Sequence, residues 1–123
     1  LIAVVFLFIR SNNTVGAKTS QEVAQGFVEA VNSDDYEKAS NYVYYENDDI
    51  RKDVKKELKD KDKIQTSLHR HMYKTYKDYK IVRVDELGDE ARVTLKRESE
   101  PGKIVYSDFK MKKVDDRWYC DIM

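Results

Sequence analysis

At 123 residues the chain suits one domain that buries roughly two thirds of the surface its unfolded form exposes, so its core needs no staples. Its 23 Lys and Arg balance 23 Asp and Glu, which excludes the one-signed field of a nucleic-acid-binding or lipid-binding protein, and 41% hydrophobic residues exclude a disordered tail. The single cysteine, Cys120, excludes an internal disulfide framework and a cysteine-based zinc site.

Residues 1–9 (LIAVVFLFI) form an apolar run that ends at Arg10. A spanning helix takes about 20 apolar residues and a signal core about 7 to 15, so either reading needs residues upstream of Leu1. Val15, Gly16 and Ala17 supply the small residues that a signal peptidase reads. Arg10, lying between them and the apolar run, points rather to an uncleaved anchor. A core strand of a soluble protein is the remaining reading. The expectation is an anchor or signal over residues 1–10, a polar tether over 11–18 and one domain over 19–123, with export to the extracytoplasmic side of a membrane, or secretion if the segment is cleaved.

The stretch 19–43 organises the domain. Thr19 and Glu22 make a capping box, and Val23, Ala24, Phe27, Val28 and Val31 then share one helix face. Gly26 inside that helix costs about 1 kcal/mol relative to Ala; it marks either a close approach by another backbone or a tolerated defect. Residues 32–35 break the helix, Asp34 with Glu37 makes a second box, and Tyr36, Ala39 and Val43 continue the apolar stripe. Asn47 to Asp49 can cap a third helix with Ile50, Val54 and Leu58 inward and the charges of residues 51–63 outward, where pairs such as Glu57 with Lys61 support a solvated face. The stripe resumes at Ile64, Leu68 and Met72 out of phase, which calls for a kink or a further helix.

From Tyr79 the period becomes two. Val82 and Val84 mark a first strand, Gly88 and Asp89 turn the chain, and Ala91, Val93 and Leu95 face inward. Pro101 and Gly102 suit a type II turn, Ser107, Phe109 and Met111 form a third inward row, Asp115 and Asp116 turn again, and Trp118, Cys120 and Ile122 close a four-stranded meander.

This order of elements, with NSDDYEKASNYV at the elbow, VDELGDEARVTL in the middle and DDRWYCDI as the closing strand, resembles a nuclear transport factor 2-like domain. More narrowly it resembles small exported bacterial domains of unknown function that sometimes carry a lumazine-binding label. The lipid-bearing cysteine of the lipoprotein members is missing, so a lipid anchor is unsupported. The resemblance implies an α+β cone in which N-terminal helices pack on the concave face of a curved antiparallel sheet and leave a pocket between them. Tyr42, Tyr73, Tyr76 and Trp118 are the candidates to line it for a small apolar or aromatic ligand; tyrosines that fill a core rim with wet hydroxyls are the plainer reading.

For an enzyme, the resemblance implies a carboxylate base with tyrosines, or a His-Asp pair, inside the cone. The strand carboxylates here, Asp108 and Asp121, fall on the polar faces opposite Phe109 and Trp118. His69 and His71 diverge by roughly 200° on a helix and cannot share a metal, Cys120 reads as a small buried hydrophobe, and no phosphate loop or G-x-S-x-G is present. The expectation is therefore a non-catalytic, cofactor-free domain at the bacterial cell envelope that binds a protein partner or a small ligand, with a homodimer as one form it could take and no nucleic acid involved. The alternatives are a structural subunit of a secretion or conjugation channel, and a small-molecule isomerase or hydrolase using Asp108 or Asp121.

Overall fold

The computed structural model describes residues 15–59 and 68–123. The anchor expectation for residues 1–10, Lys61 as a partner for Glu57, and the stripe at Ile64 lie outside the described residues.

Helix α1 (Ser20–Asn32) starts where Thr19 accepts a hydrogen bond from the Glu22 amide at 3.1 Å. It buries Val23, Ala24, Phe27, Val28 and Val31 as the spacing requires. The chain then turns through Asp34, held at φ +58°, into the short helix α2 (Tyr36–Ser40). Asp35 rather than Asp34 caps it, accepting from the Lys38 amide at 3.1 Å. Asp34 instead accepts from the Tyr36 hydroxyl at 3.1 Å and from Lys77 at 2.8 Å, so its carboxylate is spent on tying the elbow to the loop before the sheet.

Helix α3 (Asp48–Lys59) is capped by the Asn47 side chain, which takes the Ile50 amide at 2.9 Å. Val54 and Leu58 are buried as expected, but the third inward position is Arg51, 7% exposed, while Ile50 is exposed. Residues 51, 54 and 58 follow the three-then-four spacing of a buried stripe, and the guanidinium finds a carbonyl and a ring to rest on. A further helix, α4 (Leu68–Lys74), is described beyond residues 60–67, and the expected change of phase between Leu58 and Ile64 lies outside the described residues.

Strands β1 (Lys80–Leu87), β2 (Glu90–Glu100), β3 (Lys103–Val114) and β4 (Arg117–Cys120) form one antiparallel sheet in sequence order. Asp115 and Asp116, at φ +52° and +63°, make the β3–β4 turn with both central residues left-handed, the twist that a two-residue hairpin favours. Gly102 at φ +82° fits the type II turn after Pro101. Val93, Leu95, Phe109, Met111, Trp118 and Cys120 are all buried. The first strand departs from simple alternation: the pairing slips between Ile81 and Arg83, a bulge that turns Val82 out to solvent and brings Ile81 and Val84 against the core.

Helix α1 touches both edge strands, β1 and β4, so the sheet curls around it and Phe27 meets the inner face at its centre. The architecture is α+β, with helices on the concave face of a curved meander, as the resemblance implied. Residues 15–18, the end of the segment read as a tether, lie along β4. Ala17 exchanges two backbone hydrogen bonds with Trp118, at 2.7 and 3.2 Å, and Arg117 donates to the Val15 and Gly16 carbonyls at 2.9 and 3.2 Å. Val43 pairs with Cys120 beside them.

Candidate functional site

The space between α1, α4 and the sheet is where a pocket was expected. Phe27 stands at its centre, edge-on to Tyr73 at 5.7 Å, to Tyr76 at 5.7 Å and to Phe109 at 5.5 Å, and Tyr76 meets Phe109 at 5.4 Å. Such edge-to-face contacts are worth about 0.5–1.5 kcal/mol each beyond area burial. Tyr73 and Tyr76 are thus brought together, but around a phenylalanine rather than around a void. Tyr42 sits apart, half-buried on the flank of α1 against Gly26. Trp118 is buried on β4, where its backbone carries the Ala17 pairing.

The hydroxyl of the fully buried Tyr73 is hydrogen-bonded to that of Tyr45. Burial pushes both phenols up from their ordinary value. Arg51 lies 5.0 Å over the Tyr45 ring and donates from Nη1 to the Ser40 carbonyl at 2.6 Å; its Nε is buried without a partner. Burial lowers the guanidinium pKa, and no carboxylate hydrogen bond compensates. His69, whose ring centroid is 6.3 Å from that of Tyr45, places Nδ1 3.2 Å from a Glu57 carboxylate oxygen, a rim position for this histidine, while His71 is exposed. The sequence singles out neither Arg51 nor Tyr45, and it offers Glu57 only as a partner of Lys61 on a solvated face, not of His69. The spacing of 51, 54 and 58 was the available signal for Arg51.

Both strand carboxylates lie outside. Asp108 takes Arg92 at 2.6 Å across the outer face of the sheet, and Asp121 faces Lys112 at 3.7 Å. Neither points toward Phe27. Cys120 is fully buried, which pushes its thiol well up and keeps it protonated. Among the described residues no cluster of His, Cys, Asp or Glu could hold a metal ion, and no helix is long and apolar enough to cross a membrane.

A surface cleft of about 220 Å³ opens at the elbow, lined by Asp34, Asp35, Tyr36, Glu37, Leu58, Lys59 and Arg70. Arg70 covers the Tyr36 ring at 5.1 Å. Hydrogen bonds from Lys77 and then from Tyr36 hold the Asp34 carboxyl below its usual range. Mixed charge with an apolar floor at Leu58 suits weak polar contact.

These elements define an α+β domain with a ring-packed centre and a charged exterior. The chain belongs to the family described as a domain of unknown function, DUF4878, whose model matches residues 13–121. Among solved structures it is similar to an NTF-2-like protein of unknown function from Shewanella oneidensis MR-1, at 18% identity over 80% of this chain and 88% of that one, with a TM-score of 0.41. No curated protein matches the sequence.

Proposed function

We propose that this is a non-catalytic bacterial domain, held on the extracytoplasmic side of a membrane by residues 1–10, that binds a protein partner with its outer surface. The observation that carries the reading is the packing at the centre. Phe27, Tyr73, Tyr76 and Phe109 occupy one another's faces and edges, and the Tyr73 hydroxyl is already spent on Tyr45, so a ligand entering there would have to displace packed rings. The pairing of Asp108 with Arg92 and of Asp121 with Lys112 on the exterior supports a surface role over general-base chemistry inside the cone. The apolar run LIAVVFLFI supplies the address.

Two measurements on the native full-length protein test this. Membrane fractionation with protease added to intact spheroplasts should find the protein in the membrane and cleaved from outside; recovery entirely in the cytosol overturns the location. A thermal-shift panel of planar aromatic compounds should leave Tm unchanged, whereas a saturable rise abolished by Tyr76→Ala would return the site to the interior.

A further inference from the structure

Strand edges with unpaired peptide groups invite other chains, and proteins blunt them with bulges, charges or covering segments. Three edges here are managed in those ways. The β4 edge is covered by Ala17 and Val43. The β1 edge carries the bulge at Val82 and the charges Lys80, Arg83, Asp85 and Glu86. The part of β2 that runs past β1 bears Arg97, Glu98 and Glu100 and a second bulge between Glu98 and Glu100.

The fourth edge is open among the described residues. β1 pairs with β2 only as far as Lys96, and β4 pairs with β3 only from Met111 onward, so the tip of the β2–β3 hairpin projects as a two-stranded arm. On β3 the Lys113 amide points to the β2 side and the Lys110 carbonyl to the β4 side. With strict alternation along an unbulged strand, the peptide groups of Ile104 and Tyr106 also face the β4 side, where no described strand lies. Between Lys103 and Asp108 that edge reads Ile, Val, Tyr, Ser, with no charge and no proline. Ile104 is 53% exposed and Tyr106 65%.

We propose that this edge is an interface with a second copy of the chain, the two β3 strands pairing antiparallel about a two-fold axis at Val105; the proposal goes beyond the reading above and does not depend on it. That register sets Ile104 of each copy opposite Tyr106 of the other, so the two exposed apolar side chains cover each other twice, and it joins their outward peptide groups in a hydrogen-bonded ladder. Charge agrees. Glu98 lies beside Ile104 and Lys96 beside Tyr106 within each copy, so both of the rows that join Ile104 to Tyr106 start with a carboxylate and end with an ammonium, while the axial row through Val105, on the opposite face, has Arg97 at its two ends, three strand spacings apart. Arg97, Glu98, Glu100 and Lys103 sum to zero on each arm, and like charges do not meet. A foreign peptide lacks this reciprocity.

The full chain should show a reversible monomer–dimer equilibrium by sedimentation at concentrations up to about 1 mM, the scale of a weak contact. Ile104→Glu acts twice in a two-fold interface and should raise the dissociation constant about tenfold or more without changing the thermal midpoint. Val105 faces its own equivalent as a non-hydrogen-bonded pair about 4.5 Å apart, within disulfide range. Val105→Cys should therefore give a covalent dimer on mild oxidation, and Ser107→Cys, two positions off the axis, should not. A wild-type chain that stays monomeric, open-ended polymers, association unchanged by Ile104→Glu as residues 1–9 would cause, or cross-linking through Ser107→Cys in place of Val105→Cys would each overturn the proposal.

Discussion

The ring of Tyr42 occupies the space that a Cβ on Gly26 would need, with Oη and Cε1 only 2.6 and 2.7 Å from where that carbon would stand. The approach comes from a side chain sixteen positions along the sequence, not from another backbone. Gly26→Ala would gain about 1 kcal/mol of helix propensity and would lose more by swinging a half-buried ring into water. We expect a net destabilisation of about 1–2 kcal/mol in urea titrations. On a Tyr42→Ala background the sign should reverse, because only the propensity gain remains. Gly26→Ala stabilising both backgrounds would show that the ring and the helix do not compete.

Trp118 is 4% exposed on the strand that receives both covering segments. Trp118→Ala should cost about 3–5 kcal/mol, a large share of the 5–15 kcal/mol typical of a domain. A loss below about 1 kcal/mol by chemical denaturation would mean that the indole packs on no core.

Arg51 makes the opposite case. It is buried with one carbonyl and one ring for partners, an unpaired Nε, and no carboxylate hydrogen bond. Desolvating a charge on these terms costs several kcal/mol, and apolar replacements of similar volume at such sites are commonly neutral to about 4 kcal/mol stabilising. Arg51→Met should therefore match or exceed the wild-type thermal midpoint. Arg51→Ala should lose about 2 kcal/mol or more by leaving a hole. A destabilised Met variant would show that the guanidinium contacts outweigh its desolvation.

What the sequence made legible was local. The Thr19 cap, the inward row from Val23 to Val31, the turns at Gly102 and at Asp115 and Asp116, and the alternation of β2 to β4 are each written in a few adjacent residues. What it hid depends on distant pairing. Val82 turns outward because β1 slips against β2, and Gly26 has its role because Tyr42 returns to it. Asp35 displaced Asp34 as the cap because Lys77, far along the chain, holds the Asp34 carboxylate. The candidate site shows the same division. Tyr73 and Tyr76 were visible as aromatic residues on one helical stretch, but whether they line a space or fill it is decided by Phe27 and Phe109 from two other elements. The elbow cleft joins three separate segments, so no window of sequence displays it. Arg51 reads as outward-facing because charged residues mostly are, although its spacing with Val54 and Leu58 marks the inner face, where it is buried.

The buried phenol pair gives an alkaline signature. Burial raises the Tyr73 phenol above its ordinary value near 10. An unfolded chain releases that proton as pH climbs past about 10, while the folded chain keeps it. The folded state then binds more protons, and stability falls with rising pH by about 1.4 kcal/mol per unit for this one group. Below about pH 9 it contributes no pH dependence. Tyr73→Phe removes the titration but leaves the buried Tyr45 hydroxyl without its partner, a cost of about 1–2 kcal/mol at neutral pH. The variant should accordingly be weaker than wild type at pH 7 and close to it at pH 11, with urea midpoints converging as pH rises. Curves that stay parallel to pH 11 would mean that the Tyr73 phenol ionises in the folded protein, and hence that water reaches the centre between Phe27 and Tyr45.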